Sequence, residues 1–340
     1  MDATKPLLTI AIPTWNRSPY LALTLEQLSR ELNRVDENSV EVLVSDNCST
    51  DNTPHVVEAH TSPELPLRYV RNAENIGSDG NTAQCFNLAR GKYVLILGDD
   101  DLLFDGTLAS LCSHLQANEY GVVCLRPYGY ERDFRREHPG GRGKLREFTD
   151  AGDFLAAIGP YMTLISSCVI NKSLLASMDA RDYCGGNLVQ VHFVIEAALG
   201  SARNLFVDDY QVACKRNNSG GYDFSRVFVE EFGRLLDDGK RLGLSDGAIT
   251  KIETRMLVGY YPTYLLRERR QQSGDLAATK ARFNARFGRR RLYRLWLAPI
   301  LDLPRPLGIA WGMLATLLGR AVSGELRRGL AFARNWIKPA

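Results

Sequence analysis

The sequence predicts an α/β protein: a mainly parallel sheet flanked by helices, followed by a helical carboxy-terminal extension. Three observations carry this expectation. Apolar runs of strand length alternate with helix-period segments through the first 125 residues. Polar and acidic clusters follow those runs. The last sixty residues then change abruptly in charge.

Residues 7–12 (LLTIAI) form a short continuous apolar run, as expected of a strand covered on both faces. Pro13 is expected to end it, and residues 18–32 have helical spacing through Leu21, Leu25, Leu28 and Leu32. Residues 40–45 (VEVLVS) read as a second strand leading into the polar turn 46–51, and Pro54 suits the first turn of a second helix. A third strand is expected over 67–70 and a third helix over 77–89, opened by Ser78 or Asp79. A fourth strand, 92–97 (KYVLIL), runs directly into Gly98-Asp99-Asp100-Asp101. This alternation implies right-handed crossovers and a parallel sheet. Ligands of such sheets bind beyond the carboxyl ends of the strands, so segments 13–17, 46–51 and 98–101 should gather on one edge.

Further along, a helix is expected over 105–118 and a buried strand over 121–125. The charged, glycine-rich stretch 131–146 reads as a mobile loop. Helical spacing resumes over 188–199, a strand follows at 204–207, and 215–222 reads as a flexible basic loop able to close on a ligand. Residues 226–287 read as mostly helical, and no internal repeat is evident.

Composition narrows the class. With 340 residues, 45% hydrophobic and 24% charged, the chain can hold one large domain with appendages and is not disordered. Its seven cysteines are scattered singly, without a CxxC spacing, which suits reduced thiols in a cytosolic protein. The early first strand leaves no room for a signal peptide, and no apolar stretch reaches membrane-spanning length. The net charge of +3 hides an asymmetry: residues 281–340 hold twelve Arg/Lys against two Asp/Glu, and the remainder holds thirty against thirty-seven.

Three consecutive carboxylates at a strand end repel one another and call for a counter-charge. A divalent cation supplies one, and hard oxygen ligands suit Mg²⁺ or Mn²⁺. Other nucleotide sites leave no trace. No G-x-G-x-x-G follows the first strand, and Gly141-Arg142-Gly143-Lys144 fails as a phosphate loop because His138 and Leu145 stand at its required positions. The five histidines fit no zinc spacing.

The ordered motifs TIAIPTWNR, EVLVSDNCSTDNT, RNAENIGSDGN and GKYVLILGDDD resemble those of the family 2 glycosyltransferases, closely over residues 6–125 and loosely over 160–225. The resemblance implies the GT-A nucleotide-diphospho-sugar transferase fold over residues 1–225, with a nucleotide-binding half (6–125) and an acceptor half (126–225). A helical region (226–287) and a basic amphipathic tail (288–340) would follow. It implies that Pro13 and Thr14 lie against the base and ribose with Arg17 nearby, and that Asp46 contacts the base. Asn75 and Gly77 would approach the nucleotide, and Asn81 would stand where many relatives carry a basic residue. Asp99 would face the ribose or donor sugar, Asp100 would coordinate the metal, and Asp101 would support it. Many relatives read Asp-x-Asp-Asp; here Gly98 takes the first acidic place, as in enzymes that build bacterial surface polysaccharides.

The activity implied is inverting, metal-dependent transfer of a hexosyl or deoxyhexosyl group from a nucleotide-diphosphate sugar to a glycan acceptor, lipid-linked, in bacterial surface polysaccharide synthesis. Such a step needs a general base. Family members place it in a Glu-Asp pair, but the corresponding position here is Gln190-Val191. Asp182, Glu196 and the pair Asp208-Asp209 are nearby candidates, and His192 is chosen because an imidazole accepts a proton near neutrality. Lys215 and Arg216 would meet the diphosphate. Two rival readings are a non-catalytic glycan-assembly scaffold and a sugar-phosphate nucleotidyltransferase. The latter would ordinarily show a glycine-rich basic loop after the first strand, which Pro13-Thr14-Trp15-Asn16 is not.

In the tail, Trp296, Trp311 and Trp336 stand among Leu, Ile and Arg, and Pro299, Pro304 and Pro306 break the stretch into short helices. Arg-rich helices with tryptophans suit an anionic bilayer interface; the alternative is a helical subdomain packed on protein. No nucleic-acid motif accompanies the charge. The expected location is cytoplasmic, peripheral at the inner face of the cytoplasmic membrane.

Overall fold

Strand β1 (Leu8–Thr14) is buried almost throughout, because β2 (Val40–Asp46) and β4 (Tyr93–Ile96) flank it in parallel and helices cover both faces. The computed structural model describes residues 5–322 apart from 37–38, 64, 142, 217, 219–220 and 273. Side-chain alternation sorts the core. Leu8, Ile10 and Ile12 pack with Leu21, Leu25 and Leu28 of α1 (Ser18–Leu32) on one face. Ala11 and Leu43 meet Cys85 of α3 (Gly77–Leu88) on the other.

Helix α2 (Thr53–His60) and strand β3 (Leu67–Arg71) complete the first crossovers. After β4 come β5 (Leu102–Leu103), α4 (Thr107–Ala117), β6 (Val122–Tyr130), β7 (Leu145–Phe148) and α5 (Ala151–Ile158). The short β8 (Cys168–Asn171), α6 (Val189–Leu199) and the long β9 (Asn204–Lys215) follow. The sheet order is β3-β2-β1-β4-β8-β6-β9-β5, with β7 paired to β9. The first four strands are parallel; β8 then runs antiparallel to both β4 and β6.

Several expectations need correction. Pro13 does not end β1. The β1–β4 pairing stops at Ala11 opposite Ile96, so beyond it the proline's missing N–H costs no ladder bond on that side, and pairing with β2 continues to Thr14 opposite Asp46. β6 and β9 outrun their predicted ends because they pair with each other across register shifts near Leu125–Pro127, a support invisible to local patterning. The stretch 131–146 is anchored. Arg135 forms a two-pronged ion pair with Asp105, Glu137 accepts bonds from the backbone N–H groups of Glu131, Arg132 and Asp133, and His138 stacks on Phe104. Its last residues become β7.

The chain divides into two compact units, Met1–Gly220 and Gly221–Ala340. The second is helical, as expected: α7 (Phe232–Gly239), α8 (Asp246–Arg255), α9 (Tyr261–Gln271), α10 (Leu276–Phe287), α11 (Arg291–Trp296), α12 (Ala298–Asp302) and α13 (Arg305–Val322). Aromatic side chains Tyr261, Phe283, Phe287 and Tyr293 fill its centre, and Arg286 bridges Asp237 and Glu253. Pro299 lies in the first turn of α12, and Pro304 immediately precedes α13. Trp296 and Trp311 are partly buried, with the Trp311 indole donating to the Trp296 carbonyl. Trp336 lies outside the described residues.

Candidate functional site

Parallel pairing brings the carboxyl ends of β1 and β2 level, with Thr14 opposite Asp46, and β4 delivers the acidic cluster beside them. The Leu97 N–H still bonds the Ala11 carbonyl; the chain then turns at Gly98, with Asp101 N–H donating to the Gly98 carbonyl. A side chain at position 98 would crowd this turn, because a Cβ there would stand 3.0 Å from Asp101 Oδ2 and 3.3 Å from Asp100 Oδ1. That contact is a physical reason for glycine in the first acidic place.

The three carboxylates have different surroundings. Asp99 is buried; its Oδ2 accepts from Thr14 Oγ1 at 2.8 Å and its Oδ1 faces Arg17 Nε at 3.3 Å. Burial outweighs those two partners and pushes its pKa up to about 7. Asp101 is also buried, and it accepts from the Ser166 hydroxyl, which in turn accepts from Gly98 N–H. Burial, reinforced by the charge of Asp100, pushes the Asp101 carboxyl well up, against Ser166 and Cys214. Asp100 alone is partly open, with 15% of its side chain exposed. Its Oδ2 accepts from Arg17 Nη2 and from Asn218 Nδ2, both at 2.6 Å. Thr24 closes the floor by donating to the Asp99 carbonyl at 2.9 Å.

Arg17 is therefore the cation of the cluster, shared between Asp99 and Asp100 and also over the Tyr20 ring. Among the described residues no three His, Cys, Asp or Glu side chains converge into a complete metal cage. The donor set fits the other mode of Mg²⁺ or Mn²⁺ binding, in which one or two carboxylates serve and phosphates and water supply the rest. Asp100 suits that role. Asp101 does not: its carboxylate is inside the wall and bonded to Ser166, so it shapes the turn instead.

The other predicted residues divide similarly. Pro13 is half-buried between Ile12 and Thr14. Asp46 has no exposed surface; its oxygens accept from Ser49 N–H, the Tyr69 hydroxyl at 2.6 Å and Arg71 at 3.5 Å, and contact with a base would require those bonds to open. Asn75 and Gly77 form an exposed edge, bonded to the Asn47 amide, so the second and third polar loops are one surface. Asn81 is buried and committed to Ser45 and Asn72, so a nucleotide contact at this position would require those bonds to open. Gln84 completes that amide network.

From the second half of this unit, side chains that reach the cluster include Ser166, Tyr130, Cys214 and Asn218. Lys215 donates to the Glu131 carbonyl and lies over the Tyr130 ring, and Arg216 packs on Gly129. The loop after β9 meets the acidic cluster through Asn218; residues 217, 219 and 220 lie outside the described residues. Gln190 donates to the Thr163 carbonyl, and His192, on another face of α6, packs against Tyr183 with ring centroids 4.4 Å apart. The loop before α6 is held by Asp79 of α3, which accepts from Gly185 N–H and Asn187 N–H.

Sequence reasoning missed Ser166, Tyr130, Asn218 and Trp15. Ser166 sits in a short turn with no motif around it, and Asn218 was hidden in a polar loop. Trp15 had a signal: it follows Thr14 and is 50% exposed at the strand end, which is unusual for tryptophan.

Comparison with known proteins agrees with this geometry. Residues 9–175 match the family model Glycosyl transferase family 2, and the chain carries a domain of that family. It is 34% identical over 123 residues to abequosyltransferase RfbV of Salmonella typhimurium. That stretch is 35% of this chain and 36% of the relative, so the chain matches only about a third of the curated relative's length. The crystal structure of S. aureus TarS 1-349 in complex with UDP is similar with a TM-score of 0.60 at 18% identity, covering 95% of this chain and 91% of that one. The mannosyltransferase PcManGT from Pyrobaculum calidifontis, in complex with GDP-Man and Mn²⁺, gives a TM-score of 0.52 at 19% identity over 93% and 88% of the two chains. The fold is the expected GT-A arrangement.

Proposed function

We propose that this chain is an inverting, metal-dependent glycosyltransferase. On this reading it moves a hexosyl or deoxyhexosyl group from a nucleotide-diphosphate sugar to a glycan acceptor, lipid-linked, in the assembly of a bacterial surface polysaccharide. The observation that carries the reading is the acidic cluster at the end of β4, with Thr14 and Arg17 bonded into it, inside a family 2 domain.

Thr14 holds Asp99 in one orientation; in the role proposed for it, meeting the ribose or donor sugar, its buried carboxylate would have to be uncovered by a shift of Arg17. Pro13 and the exposed Trp15 border the same strand end, and an indole face offers a nucleobase a flat apolar surface. Asn75 and Gly77 form the facing edge. Asp100, as the open carboxylate, would hold Mg²⁺ or Mn²⁺; when bound, such an ion supplies positive charge to the diphosphate as the bond to the sugar breaks. Arg17 is positioned beside that charge, and Lys215 and Arg216 stand at the root of the loop bearing Asn218.

The acceptor hydroxyl attacks from the face opposite the leaving diphosphate, and its proton goes to His192 in this proposal. Support comes from its place in the first turns of α6, whose leading loop is tied by Asp79 to the helix that opens at the Asn75–Gly77 edge. The test is a thermal-shift screen of nucleoside diphosphates and nucleotide sugars with and without Mn²⁺, followed by a transfer assay with the stabilising donor. Stabilisation by several degrees that needs both nucleotide and Mn²⁺ is expected. A flat response across the panel would overturn the reading.

A further inference from the structure

The second unit ends in a helix whose two sides differ sharply. On α13, Gly308, Gly312, Ala315 and Gly319 form the buried stripe, at the i, i+4, i+7, i+11 spacing of one helix face. The packing is close: a Cβ on Gly319 would stand 2.2 Å from the Val258 carbonyl oxygen, and one on Gly308 would stand 2.8 Å from that of Ile300. Large side chains are thereby excluded from the packed side. They occupy the outer side instead. Leu307, Met313, Leu314, Leu317, Leu318 and Val322 are all exposed, Leu307 and Leu317 by more than half and Val322 by 79%.

This arc spans about half the helix circumference and contains no acidic side chain; the charges of α13 are Arg305, which donates to the Arg269 and Arg270 carbonyls, and Arg320. Leu303 and the strongly exposed Leu295 add apolar surface just before the helix. In the segment leading to this helix, Arg289, Arg291 and Arg294 are exposed. The sequence beyond Val322 continues for eighteen residues with four more cations and one acid. An exposed leucine-rich helix face of this kind marks a binding face.

We propose that the exposed face of α13 docks on an anionic lipid bilayer, lying in its interface. Among the described residues no helix is long and apolar enough to cross a membrane, so the face lies on the bilayer instead of spanning it. The apolar arc would sink to the level of the acyl boundary while the flanking arginines meet lipid phosphates. Charge complementarity selects this occupant: Arg282, Arg286 and Arg290 are paired with Asp223, Glu230, Asp237 and Glu253, but Arg289, Arg291 and Arg294 stay exposed and the sequence after Val322 adds four cations against one acid, an excess that would repel a second copy and attract an anionic surface. The expected role of the tryptophans changes accordingly. Trp296 and Trp311 are tied into the helical unit, and leucines supply the inserting surface. This inference does not depend on the transferase reading.

The test is flotation of the full chain with vesicles of phosphatidylglycerol and phosphatidylcholine, against vesicles of phosphatidylcholine alone. Binding to the anionic vesicles and little to the neutral ones is expected. Leu314→Glu with Leu318→Glu should lower the bound fraction at least about tenfold. Arg289→Glu with Arg291→Glu should lower it by about fivefold per charge removed, with the loss mimicked by high salt. Leu307→Gln with Leu317→Gln, at the two most exposed leucines of α13, keeps the question answerable should the double Glu variant misfold, as monitored by circular dichroism. Absence of flotation by the unaltered chain, or equal flotation by folded variants, would overturn the proposal. So would a dimer in sedimentation that the leucine variants dissolve without any lipid binding. Nucleotide-induced stabilisation should be the same in all these variants, which separates this result from any failure of the donor site.

Discussion

Arg17→Ala is the most informative perturbation of the acidic cluster. It removes the guanidinium that faces Asp99 Oδ1 at 3.3 Å and bonds Asp100 Oδ2 at 2.6 Å. The Arg17 side chain is 30% exposed, against 6% for Asp99 and 15% for Asp100, so the pair lies between the exposed and buried extremes. Exposed pairs contribute about 0–1 kcal/mol, and breaking a buried pair costs about 3–5 kcal/mol. A loss of about 2 kcal/mol is therefore expected. For a unit the size of Met1–Gly220 this corresponds to about 4–8 °C in Tm. Asp100→Asn should recover part of the loss, because it removes one of the carboxylates left without a cation. The double-mutant cycle should return a coupling of about 1 kcal/mol or more. The assay is urea unfolding of the four proteins at neutral pH and low salt. Additive losses would refute the assignment of Arg17 as the counter-charge of the cluster. A second consequence is that Mn²⁺ should stabilise Arg17→Ala more than the unaltered chain, since the cation then binds without a competitor.

Asp100→Asn should abolish Mn²⁺-dependent stabilisation by nucleoside diphosphates and lower kcat at least about a hundredfold, as a donor-panel transfer assay would report. Ser166→Ala leaves the Gly98 N–H and the Asp101 carboxylate without their shared hydroxyl, and should cost about 1–3 kcal/mol in denaturant unfolding without moving the nucleotide Kd at saturating Mn²⁺. His192→Gln should leave nucleotide binding unchanged and lower kcat by a hundredfold or more; unchanged turnover would move the base elsewhere. In the helical unit, burial, reinforced by the charge of Asp223, pushes the Glu268 carboxyl up to about 7. Between about pH 4.5 and 7 the native state keeps a proton the unfolded chain has released, so stability falls as pH rises through that window. Glu268→Gln should gain over the unaltered chain from pH 5 to pH 8, and a pH-independent difference would contradict the shift.

Local pattern specified the first 125 residues well. Apolar runs such as LTIAI are continuous because both sheet faces are covered, and their polar ends had to collect on one edge once the strands ran parallel. The acidic cluster and its neighbours Thr14 and Arg17 were legible for that reason. The second half was less so. β8 is four residues long, and β9 owes its twelve residues to pairing with β6, β7 and β5, partners far away in sequence. Burial also lay beyond local reading. Asp46, Asn81 and Asp101 stand in the quoted motifs as Asp100 does, yet of these four only Asp100 keeps an open side chain, because Tyr69, Ser45 and Ser166 come from other strands and turns to occupy the rest. The order and charge of the site therefore follow from the sequence by itself. Which carboxylate faces outward, and which side of the last helix stays bare, were decided only by tertiary packing, since both depend on atoms brought together from distant parts of the chain.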